Sequence, residues 1–149
     1  MIKQTLAIAI IGCAIDQWTK FMARLFLRQG SIHLGVIDLD LVFNTGTAYG
    51  LFSNFTVWLT WLGVAVLVYL FAQLRNLVNC SFDTIVFGAL LAGGIGNTID
   101  RLVFGMVTDF INIHIIPVFN FADIFLNIGL YGLIIQWVFF RNNSTKSSG

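Results

Sequence analysis

Hydrophobic residues fall along the chain in four long runs. The first, from Ile2 to Ile15, is broken only by Lys3, Gln4 and Thr5 and continues through Asp16-Gln17-Trp18-Thr19-Lys20 to about Leu27. Others lead from Phe55 to Ala72, from Thr84 to about Ile99 and from Phe121 to Phe140. About 20 residues rising 1.5 Å each cross roughly 30 Å of hydrocarbon. The runs therefore predict four membrane-spanning helices at about 4–27, 55–73, 84–101 and 121–140, in one domain over 1–141. Between Ser31 and Phe43 the period changes to two, with Ile32, Leu34 and Val36, then Ile37, Leu39, Leu41 and Phe43 against Asp38 and Asp40. That alternation predicts two short antiparallel strands, within a β segment of about 31–53. Leu102 to Phe119 is too short and too interrupted by Asn112, His114 and Pro117 to cross, and is expected on or near the surface. Residues 142–149 are polar and low in complexity, and are expected to be disordered.

Composition fixes the class: 58% hydrophobic and 10% charged residues, with a mean hydropathy of +0.87, describe an integral membrane protein. A net charge of +1 argues against nucleic acid, which favours a concentrated basic face, and leaves membrane lipid as the large partner. Lys3, Arg75, Arg141 and Lys146 fall on one side of the predicted bundle and Lys20, Arg24, Arg28 and Arg101 on the other, so basic residues alone give no orientation. If Lys20 and Arg101 are held inside a site, the balance becomes four to two and both termini are cytoplasmic. Six of the seven acids, all aspartates, then gather at the outer end, Asp83 being the exception.

An acid beside a membrane span costs roughly 2.5–3.5 kcal/mol on insertion scales, so such groups have a partner or a task. Asp109 and Asp123 are the leading pair, because two carboxyls in one site share protons. Asp123 has a structural explanation as well, with Asn120 as N-cap and Asp123 at N3 of the last helix. Asp16, Lys20, Arg24 and Arg28 recur every fourth residue, either as an interfacial ladder of snorkelling side chains or as one wall of a polar site. Gly88, Ala92 and Gly96, with Ala89, Gly93 and Asn97 alongside, make a small-residue ridge for close helix contact. Asn97, Asp100 and Arg101 follow on one face, where Asp100 and Arg101 are expected to form a buried brace. The ridge can be used up within one bundle, so a monomer is expected. His33 and His114 stand alone in sequence and no metal-ligand spacing occurs, so neither metal nor cofactor is expected. A lipobox-like Ile10-Ile11-Gly12-Cys13 is set aside, because the apolar run before it is too short and continues past it.

Five blocks, Asp16-Gln17-Trp18-Thr19-Lys20, Asn44-Thr45-Gly46-Thr47-Ala48-Tyr49-Gly50, Gly93 to Arg101, Val107-Thr108-Asp109-Phe110-Ile111 and Phe119-Asn120-Phe121-Ala122-Asp123, resemble in order the signature blocks of the lipoprotein signal peptidase (signal peptidase II) family. Thr47 and Tyr49 stand where that family more often has Ala and Phe. The resemblance implies four transmembrane helices with a small extracytoplasmic antiparallel β-sheet and a short surface helix. It also implies an aspartic endopeptidase of the bacterial inner membrane, which removes the signal peptide of diacylglyceryl-modified prolipoproteins before the lipid-bearing cysteine. On this resemblance Asp109 and Asp123 are the catalytic dyad, Asn44, Arg101 and Asn120 line and brace it, and Asp16, Lys20, Gly46, Asn97 and Asp100 support it. A clamp over the peptide is expected from 31–43 and 44–52, with Gly46 and Gly50 letting the loop bend. The rival from another class is a proton-coupled transporter, which requires ionisable groups near mid-membrane or on both sides.

Overall fold

The computed structural model describes residues 1–46 and 55–141. Thr47, Tyr49, Gly50 and the polar tail lie outside the described residues. Helix α1 runs Ile2–Phe26, α2 Phe55–Leu77, α3 Ser81–Phe104 and α4 Phe121–Gln136, the last continued by a π-helical turn Trp137–Arg141. All four helices are long and apolar enough to cross a membrane.

Each helix end has a local cause. Between α2 and α3 the connection is only three residues, and Asp83 accepts the backbone N–H groups of Asn79 at 2.8 Å and Cys80 at 3.1 Å, which otherwise lack partners at a helix start. The other Asp83 oxygen accepts from Gln136 Nε2 at 2.9 Å and ties α4 to this corner. Helix α3 stops at Gly105, whose φ of 69° is the left-handed conformation that closes a helix.

Helix α3 is the central member, packed against α1, α2 and α4. A methyl on Gly88 would sit 2.8 Å from Ile8 Cβ, and one on Gly12 of α1 would sit 2.7 Å from Ala92 Cβ. Methyls on Gly93 and Gly96 would meet the Ala122 carbonyl and the Asp16 carboxylate. The small-residue ridge is thus consumed by contacts within the chain, where close backbone approach supplies the dispersion energy that lipid cannot. Large apolar side chains such as Ile10, Trp58, Trp61, Tyr69 and Tyr131 stay on the outside, the side that hydrocarbon would wet.

A three-stranded antiparallel sheet lies at one end of the bundle: β1 (Ile32–His33), β2 (Asp38–Asn44) and β3 (Val107–Asn112), in that order. Ile32 pairs with Leu39 and His33 with Asp38; Val42 pairs with Asp109 and Phe43 with Thr108, after a register irregularity between Leu39 and Val42. Two strands agree with the alternating pattern. The third comes from the segment expected only to lie near the surface, which forms β3 and a turn closed by the Ile111–Phe119 bridge. Outside the four long helices, a 3-10 turn Leu27–Gln29 follows α1, with Arg28 and Gln29 exposed. Strand β3 has no period-two signature because Val107 to Phe110 are buried on both faces, with Phe110 packed on Ala23, Leu27 and Phe121.

Candidate active site

Strand β3 carries Asp109 and the first turn of α4 carries Asp123. Asn120, extended at φ −133°, accepts the Asp123 N–H at 3.0 Å, while Asp123 Oδ2 accepts the Asn120 N–H at 3.1 Å. This reciprocal capping box fixes the Asp123 side chain. The Asn120 Nδ2 group then donates to Asp109 Oδ1 at 2.6 Å and to Asn97 Oδ1 at 3.2 Å. Asn120 therefore holds both acids, one through its amide and one through its backbone. The second Asp109 oxygen accepts from Asn44 Nδ2 at 2.9 Å, and Asn97 Nδ2 donates to Asp123 Oδ1 at 2.8 Å. Asn44 is itself set by the Gly46 N–H at 2.7 Å, which Gly46 can present because its φ is 77°.

Beneath the two acids lies a charged network closed to solvent. Lys20 Nζ is 2.9 Å from Asp16, 3.6 Å from Asp100 and 2.9 Å from Asn97 Oδ1, and Lys20, Asp16 and Asp100 are all 0% exposed. Asp100 accepts the N–H of Thr108 at 2.8 Å, and Asp16 accepts the N–H of Ala122 at 2.8 Å. Each buried carboxylate thus grips the residue just before one member of the pair, and Lys20 joins the two grips. Arg24 Nη1 completes the wall, 3.5 Å from Asp100, donating to Thr108 Oγ1 at 2.7 Å and lying over the Phe104 ring.

The candidate site residues Asp16, Lys20, Asn44, Gly46, Asn97, Asp100, Arg101, Asp109, Asn120 and Asp123 all lie at this end of the bundle. Of the two alternatives for the stripe, the structure has the wall: Lys20 does not snorkel, Asp16, Lys20 and Arg24 line the polar site, and only Arg28 remains outside it. In one respect the arrangement differs from expectation, because Asp100 and Arg101 do not brace each other. Neighbours on a helix point about 100° apart, so Asp100 meets Lys20 and Arg24 while Arg101 faces a groove between α2, α3 and α4 lined by Leu59, Gly63, Leu67, Asn97 and Leu126. The buried Arg101 Nε has no hydrogen-bond partner among the described residues. Sequence reasoning gave no role to Gln17 or Thr108, although polar side chains in apolar surroundings were a signal; Gln17 Nε2 donates to Asp16 at 3.1 Å and to the Gly96 carbonyl at 3.0 Å. It also left the histidines alone, whereas His33 Nδ1 and His114 Nε2 meet the same Asp38 oxygen at 3.0 and 3.1 Å. Among the described residues no group of three His, Cys, Asp or Glu side chains is arranged to hold a metal ion.

A cleft of about 460 Å³ opens over Asp109, walled by Val42, Phe43, Asn44, Gly46, Pro117 and Val118. Asp109 itself is 1% exposed. Burial pushes its carboxyl up to about 6, and the charge of Asp123 pushes the same way against the hydrogen bonds from Asn44 and Asn120 and the charge of Lys20. The arrangement suits sharing and transfer of protons beside a cleft.

Comparison with known proteins matches residues 8–139 to the family described as Signal peptidase (SPase) II. A protein of Gloeothece citriformis named lipoprotein signal peptidase is 38% identical over 152 residues, covering 95% of this chain and 92% of its own. One of the same name from a Cyanothece species is 44% identical over 136 residues, covering 85% and 79%. Two solved structures described as bacterial membrane enzymes superimpose with TM-scores of 0.85 and 0.86 at 27% and 26% identity; the first covers all of this chain and 94% of its own, the second 94% and 96%. The chain belongs to the signal peptidase II family and is a membrane peptidase.

Proposed function

We propose that this peptidase is an aspartic endopeptidase of the bacterial inner membrane that removes the signal peptide from diacylglyceryl-modified prolipoproteins, cutting before the lipid-bearing cysteine. The observation that carries the reading is the joint hold of Asn120 on Asp109 and Asp123, which brings two carboxyls to one site and lets a single proton serve both. One carboxyl activates water, the other polarises the scissile carbonyl, and no acyl-enzyme forms. Asn44, Asn97 and Asn120 orient the pair, while Asp16, Lys20 and Asp100 fix the backbone on either side. Gly46 positions Asn44, and Arg101 borders the lateral groove.

Because Lys20, Arg24 and Arg101 lie in or beside the site, the loops outside it favour cytoplasmic termini, with the site toward the outer face. Residues 1–141 act as one domain and the chain acts as a monomer, its helix ridge being occupied. Helix α2, the least covered of the four, leaves a lateral way in for a substrate with an apolar helix and two acyl chains. The acids crowd one end of the bundle, which disfavours a transport path.

The test is a gel-shift cleavage assay on a purified diacylglyceryl prolipoprotein. Cleavage by the unaltered protein, lost in both Asp109→Asn and Asp123→Asn while both remain folded, supports the reading; robust turnover by either variant overturns it.

A further inference from the structure

We propose that a groove behind β3 seats one acyl chain of a resident bilayer lipid, which completes the packing on the back of the strand that carries Asp109. The proposal rests on the membrane-spanning fold and stands apart from the dyad reading.

The groove has a volume of about 270 Å³ and lies between the outer end of α1 and the sheet. On α1 its lining residues recur in two four-residue stripes, Trp18, Met22 and Phe26 beside Thr19, Ala23 and Leu27, on a face distinct from that of Asp16, Lys20 and Arg24. Ala23, Leu27 and Phe110 are buried at its floor, and Ile32 and Leu39 close it from the sheet. Neighbours on a strand face opposite sides: Asp109 lines the cleft over the site, while Phe110 lines this groove. An occupant therefore presses on Phe110 from behind. Phe110 cannot swing outward without drawing Asp109 away from Asn44 and Asn120.

The chemistry of the walls selects a hydrocarbon chain. Among the described residues no charged side chain lines the groove; Asp38 and Asp40, on either side of Leu39, are engaged with His33, His114 and Asn112. The Thr19 hydroxyl donates to the Ile15 and Asp16 carbonyls, each at 2.9 Å, so its hydrogen is already used. An extended peptide would bury N–H and C=O groups with nothing to receive them, and a helix, about 10–12 Å across, is too thick for this volume. A methylene chain carries no such groups. Its source is the bilayer, because the α1 residues of the groove belong to the span Ile2–Gln29, and the rim residues Trp18 and Phe26 are 62% and 64% exposed toward the lipid. The groove that Arg101 borders runs between α2, α3 and α4 and shares no residue with this one, so the acyl chains of a substrate entering there do not account for it.

The experiment uses the full chain in detergent with an equimolar phosphatidylcholine that carries a diazirine midway along one acyl chain. After photolysis, mass spectrometry maps the labelled positions. Label should concentrate on residues 18–27 of α1 and on Ile32 and Leu39. Ile32→Glu, which sets a carboxylate on the rim, and Met22→Trp, which fills the groove from within, should each cut that label by about tenfold and leave the label on α2 unchanged. Even labelling of the outer faces of the four helices, or label kept in the groove by Met22→Trp, overturns the proposal. Thermal unfolding gives a second readout, since a lipid bound only by the folded chain raises its Tm. Phosphatidylcholine should raise the Tm of the unaltered protein by several degrees and that of Met22→Trp much less; equal shifts overturn the proposal. If Ile32→Glu fails to fold, Met22→Trp decides alone. Robust turnover by Asp109→Asn, which sinks the dyad, leaves both readouts unchanged.

Discussion

Two clusters of basic and acidic side chains lie at the same end of the molecule and have nearly the same contact lengths, yet they differ in kind. Lys20 meets Asp16 at 2.9 Å, with both side chains 0% exposed; His33 meets Asp38 at 3.0 Å, with the imidazole 75% exposed. In the first, both side chains are closed to solvent, the second oxygen of Asp16 is taken by the Ala122 N–H and that of Asp100 by Arg24, so every partner is needed to offset desolvation. In the second, water replaces any contact that is lost, and an exposed pair contributes about 0–1 kcal/mol. Contact length does not rank interactions; what stands ready to replace the partner does.

The largest effect expected is from Lys20→Ala, which strands two buried carboxylates and costs about 3–5 kcal/mol. Thermal unfolding in detergent should show a sharp fall in Tm. A small change would place the network in contact with water and erase the contrast. Asp109 comes next. Its folded carboxyl stands near 6 against 3.8 for the ordinary group, so the contribution is fully present below about pH 4 and is lost as pH rises through about 6. The loss is on the order of 3 kcal/mol from a shift of about two units. Unfolding measured from pH 4 to 8 should show this slope, and Asp109→Ala should flatten it. Gly96→Ala presses a methyl onto the Asp16 carboxylate and Ala122, and should cost about 1–3 kcal/mol through overpacking. The same assay checks it, with Gly105→Ala as a different case, strained by its φ of 69° but free of contacts. His114→Gln should be smallest, within about 1 kcal/mol, and a larger drop in Tm would show that the sheet cluster is less wet than its exposure implies.

The four spans were legible because an uninterrupted apolar run of helical length has few other uses. Strands β1 and β2 were legible from alternation. Strand β3 was not, since Thr108 and Asp109 are as buried as Val107 and Phe110, and burial on both faces removes the period of two. At the site, the capping arrangement of Asn120 and Asp123 could be read from their spacing of three. That the same Asn120 amide would reach Asp109 could not, because it depends on how β3 docks against the start of α4. The four-residue spacing of Asp16, Lys20 and Arg24 gave one helix face but not whether that face met water or α3. Adjacency misled at Asp100 and Arg101, where one step along the chain is a third of a turn around the helix.

The Asp16 grip on the Ala122 amide joins residues 106 apart in the chain, the first helix to the last. Synthesis delivers α1 early and α4 at the end, so the anchor for Asp123 waits in the bilayer until the final span docks beside it. A chain lacking α4 lacks Asn120 and Asp123 as well as the amide that Asp16 holds. On the proposed dyad the order of synthesis thus serves as a safety catch: a partly inserted chain holds only half of the site.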